Sequence, residues 1–133
     1  MLPQPNGINI SPGHDFLYVV DVPTSDVWRF PMSVNGDVDG ENGEIFFNTG
    51  AGGDGLDVDS MGNIYIACQD GTIKIFDPEN GEQYPDEITF PMGIVASNVA
   101  FGGDDLKTLY ITAGNSFYTM DVAVAGNIPS QQY

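Results

Sequence analysis

Cations are nearly missing from this chain. Arg29, Lys74 and Lys107 stand against nineteen acidic residues, for a formal charge of −16. Nucleic acids and anionic membrane surfaces are held through clustered lysine and arginine, so this balance argues against both as partners. Cys68 is the one cysteine, which excludes an intrachain disulfide; its place in the apolar run Tyr65-Ile66-Ala67-Cys68 reads as a buried, inert thiol. His14 is the one histidine and falls among turn-forming residues, so no Ser-His-Asp arrangement can be assembled and a solvated turn position is expected for it. No apolar run approaches a membrane span, and Met1-Leu2-Pro3 opens neither a basic nor an apolar leader. A soluble acidic protein, by expectation cytoplasmic, follows. Nothing has the periodicity of a long amphipathic helix.

What the chain does have is a threefold repeat. Asn6-Gly7-Ile8-Asn9-Ile10, Asp54-Gly55-Leu56-Asp57-Val58 and Ser97-Asn98-Val99-Ala100-Phe101 each open a unit. A turn follows, then an aromatic-bearing strand: Leu17-Tyr18-Val19-Val20, Ile64-Tyr65-Ile66-Ala67 and Leu109-Tyr110-Ile111-Thr112. A third strand completes each unit, at Val27-Trp28-Arg29-Phe30, Ile73-Lys74-Ile75-Phe76 and Phe117-Tyr118-Thr119-Met120. Outer fourth strands are expected at 43–47 and around 87–90, and the third unit lacks one. Short Val, Ile, Tyr and Phe runs punctuated by Gly, Pro, Asn and Asp are the all-β pattern. Asn6, Asp54 and Asn98 lie 48 and 44 residues apart, the spacing of β-propeller blades. The expected architecture is a single unit of about three four-stranded blades, at about 5–50, 51–95 and 96–124, with a polar tail at 125–133. In a propeller the inner strands converge on a central channel, so three scattered polar residues become one candidate site.

Read from the residues alone, Asn-Gly and Asp-Gly pairs serve turns and strand starts more often than ligands. The stretch Asn35-Gly36-Asp37-Val38-Asp39-Gly40 imitates the start of a calcium loop, but Phe46 stands where such a loop needs a glutamate; a solvated acidic hairpin is expected. Asp57-Val58-Asp59-Ser60-Met61-Gly62 occupies the place of a blade turn and reads as structural. The recurring aromatic residues Tyr18, Trp28, Tyr65, Phe76, Phe101 and Tyr110 read as packing between blades.

Taken in order, Pro5-Asn6-Gly7-Ile8, Gly53-Asp54-Gly55-Leu56-Asp57-Val58-Asp59 with Gly62-Asn63-Ile64-Tyr65-Ile66-Ala67, and Asn98-Val99-Ala100-Phe101-Gly102-Gly103 with Leu109-Tyr110-Ile111-Thr112 resemble the C-terminal half of the SMP-30/gluconolactonase/LRE family. The resemblance runs from about 5 to 121. It implies half of a six-bladed propeller, a divalent cation in the channel, usually calcium, and hydrolysis of lactones or related esters. By the same resemblance Asn6 is a metal ligand, and Asp54 is a second ligand and the general base. Asn98 is a third candidate ligand, from its place in the repeat. Oxygen donors suit Ca²⁺, and also Mg²⁺, Mn²⁺ or Zn²⁺.

The family's first-blade Glu ligand and an earlier Asn ligand have no counterpart here, and Gly53 replaces the usual proline before the aspartate. A homodimer whose two copies close one six-bladed ring would place two sets of Asn6, Asp54 and Asn98 around the channel. The expectation is therefore a metal-dependent lactonase-type carboxylic ester hydrolase assembled as a homodimer. The alternatives are a non-catalytic propeller-type binding module and an inactive, truncated member.

Overall fold

The computed structural model describes residues 2–128 and contains eleven β-strands and, among the described residues, no helix, hence none able to cross a membrane. Strands β1 (Pro5–Ile10), β2 (Phe16–Asp21), β3 (Asp26–Pro31) and β4 (Glu44–Asn48) form an antiparallel sheet in chain order. Strands β5 (Gly53–Val58), β6 (Ile64–Cys68), β7 (Thr72–Phe76) and β8 (Ile88–Thr89) repeat the pattern. A third sheet holds β9 (Ala96–Gly102), β10 (Thr108–Ala113) and β11 (Ser116–Asp121), with no fourth strand among the described residues. These are the expected blades.

Turn chemistry fixes each meander. Gly71, at φ +86°, closes the β6–β7 hairpin with its amide on the Cys68 carbonyl at 3.0 Å. The turns between first and second strands share a left-handed residue, at His14 (φ +60°), Gly62 (φ +92°) and Leu106 (φ +58°). The first of these turns is held by Ser11 Oγ, which accepts the Asp15 and Phe16 amides; the second by the buried Asp59, whose Oδ1 accepts the Met61 and Asn63 amides. Asp59 is thus structural, and the 35–40 stretch is an exposed acidic turn, both as expected. His14 is a turn residue, yet only partly solvated: its Nε2 is buried without a partner.

Alternation along β6 explains the core. Ile64, Ile66 and Cys68 face blade 1 and meet Val20, Val27 and Phe47; Tyr65 and Ala67 face blade 3 and meet Val99, Leu109 and Ile111. Period-two side chains on a strand covered from both sides are all apolar. Phe47 stacks on Phe76 at 4.2 Å across the first junction, and Tyr65 meets Phe101 edge-on at 5.0 Å across the second. The middle blade is therefore closed on both faces, and the outer blades are closed on one. Ile8 and Ile45 on the free face of blade 1 are 60% and 53% exposed; Tyr110 and Phe117 on that of blade 3 are 44% and 75% exposed.

The segment after β11 returns to the middle blade. The Ser60 amide bonds the Ala125 carbonyl at 2.8 Å, and the Asn127 amide bonds the Val58 carbonyl at 3.0 Å. Residues 129–133 of the tail, and Met1, lie outside the described residues.

Candidate functional site

The first strands β1, β5 and β9 are the inner edges of their sheets and contact one another in sequence. Each begins with an irregularity: pairing with the second strand slips between Pro5 and Ile8, between Gly53 and Leu56, and between Ala96 and Asn98. Bulges of this kind re-aim side chains and occur beside functional sites. Here the three irregular segments gather around one cavity of about 440 Å³, lined by Asn6, Asn9, Asp54, Asp57, Ser97 and Asn98 among others, with no Lys or Arg in its wall.

All three of the residues singled out in the sequence, Asn6, Asp54 and Asn98, border this cavity. Their register is not identical. Asn9, Asp57 and Ala100 sit opposite the equivalent tyrosines Tyr18, Tyr65 and Tyr110, and three residues before each come Asn6, Asp54 and Ser97. Ser97 is thus level with the other two, its Oγ 2.9 Å from Thr112 Oγ1, and Asn98 is level with Gly7 and Gly55. Asn98 Oδ1 accepts the Val99 amide at 2.9 Å.

Gly7 and Gly55 do not serve turns. Neither adopts a positive φ; each supplies the absence of a side chain where neighbouring inner strands touch. A Cβ on Gly7 would press into the Asp54 carbonyl oxygen and lie 2.9 Å from the Leu56 amide nitrogen. One on Gly55 would press into the Asn98 amide and lie 2.8 Å from its Cα. The glycine of each Asn-Gly or Asp-Gly pair lets the next blade come close, and the polar residue before it is left at the cavity.

Two carboxylates share β5 and behave differently. Asp57 is heavily bonded: Oδ1 accepts Asn9 Nδ2 and the Val58 amide, and Oδ2 accepts the Phe101 amide, each at 2.7 Å. Burial raises its pKa and outweighs those three bonds, which favour the ionised form. Asp54 accepts no backbone hydrogen bond among the described residues. Burial raises its pKa too, with the Asn6 amide pulling the other way. Asp54 thus presents unused oxygen lone pairs beside an amide side chain.

These donors have the hardness a calcium-type cation requires. One chain supplies few of them: among the described residues no three His, Cys, Asp or Glu side chains cluster as a metal site would require. The Asn9–Asp57–Phe101 connection was not apparent in the sequence, although Asn9 and Phe101 lie 48 and 44 residues from Asp57, the blade spacing itself.

Residues 2–115 match the SMP-30/gluconolactonase/LRE-like region. A 6-deoxy-6-sulfogluconolactonase from Pseudomonas putida is 36% identical over 110 residues, 81% of this chain and 37% of that protein. Among solved structures, regucalcin from Agrobacterium tumefaciens, described as a calcium-binding protein, superposes with a TM-score of 0.82 at 21% identity. That match covers 95% of this chain and 48% of regucalcin. A gluconolactonase from Xanthomonas campestris gives a TM-score of 0.71 at 25% identity, over 88% of this chain and 37% of that one. The chain spans about half the length of regucalcin and somewhat more than a third of the other two. On the match across residues 2–115 and the shared half-propeller, the chain belongs to the SMP-30/gluconolactonase/LRE-like family.

Proposed function

We propose that this chain hydrolyses sugar lactones or related esters at the cavity between its inner strands, with a divalent cation, calcium in the first instance, held by Asn6, Asp54 and Asn98. The observation that carries the reading is the free Asp54 carboxylate: half-buried, raised in pKa, beside Asn6, with no backbone partner. Support for the substrate class comes from the lactonase relatives. When bound, the cation would polarise the lactone carbonyl and stabilise the developing oxyanion. Asp54 takes the proton of the attacking water. Asn6 orients the Asp54 carboxylate. The absence of Lys and Arg from the wall leaves the local field negative, which favours cation capture.

A second copy completes the donor set in this proposal. The free face of blade 1, with Ile8, Ile45 and the stacked pair Trp28–Phe30, and that of blade 3, with Tyr110 and Phe117, leave apolar surface exposed at both ends of the half-ring. Three blades cover 48% of the regucalcin chain, so two copies related by a two-fold axis along the channel would join blade 3 of each to blade 1 of the other.

Light scattering of the native protein with and without calcium, together with a lactone screen of wild type and Asp54→Ala, tests both parts. Expected are a two-chain mass and a calcium-dependent turnover that falls by about 10²–10⁴-fold in Asp54→Ala. Turnover unchanged in that variant overturns the role of Asp54. A stable monomer overturns the shared site and favours a non-catalytic binding module.

A further inference from the structure

Asp57 is the strand residue with most to explain. It is half-buried, it lines the cavity, and its carboxylate reaches two other blades at once. On one side it accepts Asn9 Nδ2 of β1; on the other it accepts the Phe101 amide of β9; both bonds are 2.7 Å. Asn9 is fixed in turn, since its Oδ1 accepts the Ile10 amide at 2.7 Å. The Phe101 amide belongs to an inner strand whose outer edge is already paired with β10, so a side chain from the neighbouring blade is what satisfies it. One carboxylate therefore links all three inner strands, three residues along β5 from Asp54.

We propose that Asp57 is a positioning residue: through Asn9 and the Phe101 amide it sets the spacing of the three strands that carry Asn6, Asp54 and Asn98. This rests on the reading of those three residues as cation ligands. The argument is one of geometry. Apolar packing fixes the outer parts of the blades, yet the cavity ends of β1, β5 and β9 are bulged and have lost part of their ladder to the second strands. The close contacts at Gly7 and Gly55 limit how near these strands come, and the short charge-assisted hydrogen bonds of Asp57 keep them from moving apart. Cation sites depend on such outer partners, whose removal typically costs about 10–100-fold in affinity. Asp57 itself has one oxygen doubly used and the other committed to Phe101, so it acts through its neighbours and is not itself assigned as a ligand.

The chemistry of the pair provides its own control. In Asp57→Asn the new amide cannot accept from Asn9 and Phe101 together, and in Asn9→Asp two carboxylates face each other. In the double variant Asn9→Asp/Asp57→Asn, Asn at 57 donates to Asp at 9 and still accepts the Phe101 amide, giving up only the Val58 amide of its own strand; net charge is unchanged. Calcium titration calorimetry is measured on all four proteins, with amide hydrogen exchange at Phe101 and thermal unfolding alongside. Each single variant should bind calcium about tenfold or more weakly and expose the Phe101 amide to exchange; the double variant should recover to within about threefold. A double variant no better than the singles, or singles that bind as the wild type does, overturns the proposal. Wild type that binds no calcium refutes the cation reading instead. The exchange and unfolding data then decide on Asp57: recovery in the double variant sustains the three-strand link, and its failure overturns it.

Discussion

Replacing Gly7 by alanine isolates the close approach that builds the site. The added Cβ would press into the Asp54 carbonyl oxygen and lie 2.9 Å from the Leu56 nitrogen, both backbone atoms of the neighbouring inner strand. Backbone cannot rotate aside as a side chain can, so β1 and β5 must move apart. Overpacking costs about 1–3 kcal/mol, and a clash with backbone on one side belongs at the upper end. At roughly 3–5 °C per kcal/mol for a domain of this size, the melting temperature should drop by roughly 10–15 °C. Gly40→Ala is the control: no atom lies within 4 Å of its Cβ position, so the change should be neutral or slightly stabilising. Differential scanning calorimetry of both variants reads the contrast. If Gly7→Ala melts within about 2 °C of wild type, the inner strands do not touch at Gly7 and their close approach does not shape the cavity.

Three further outcomes follow from burial, backbone and charge. Burial pushes the Cys68 thiol up to about 11 from 9.0, so its contribution is fully present below about pH 9 and is lost as pH rises through about 11. Urea unfolding across that window should show stability falling by up to about 2–3 kcal/mol more in wild type than in Cys68→Ala, and parallel curves would refute the buried thiol. Gly62→Ala places a Cβ 3.2 Å from Pro78 at φ +92° and should cost about 1–3 kcal/mol in the same assay; an unchanged midpoint would contradict the left-handed turn. With −16 formal charge, the melting temperature should rise as sodium chloride is raised from about 0.05 to about 0.5 M, and a fall would show that attractive pairs dominate.

The blades were legible because their signals are local. Val, Ile and aromatic alternation marks every long strand, and Asp70-Gly71 and Gly114-Asn115 mark two hairpins, so the strands fall within a residue or two of expectation. The family was legible from ordered motifs. Less was visible where position depends on a neighbouring blade. Asn98 reads as equivalent to Asn6 and Asp54, yet all three first strands share the same bulge and its register makes Ser97 their counterpart, with Asn98 level with Gly7 and Gly55. His14 and Leu106 share the left-handed conformation of Gly62, and only the glycine announces it. Gly7 and Gly55 looked like turn residues, because nothing in the sequence says what stands over a glycine. The return of 125–127 to β5 was also hidden in an unremarkable polar segment.

Asp54 and Asp57 show how one strand can carry both a heavily bonded carboxylate and a nearly free one. Both carboxylates lie on β5, both are half-buried, and burial raises the pKa of each. They differ in what their oxygens already hold. Asp57 has accepted two backbone amides and one side-chain amide, and a carboxylate so engaged gains little from a further partner. Asp54 sits within the bulge, out of reach of the ladder, and among the described residues it has the Asn6 amide as its hydrogen-bond partner. Desolvation is opposed by three bonds at Asp57 and by the Asn6 amide at Asp54. A carboxylate with few partners gains most from an incoming cation or proton, and the bulge that removes Asp54 from the ladder leaves its oxygens open to one.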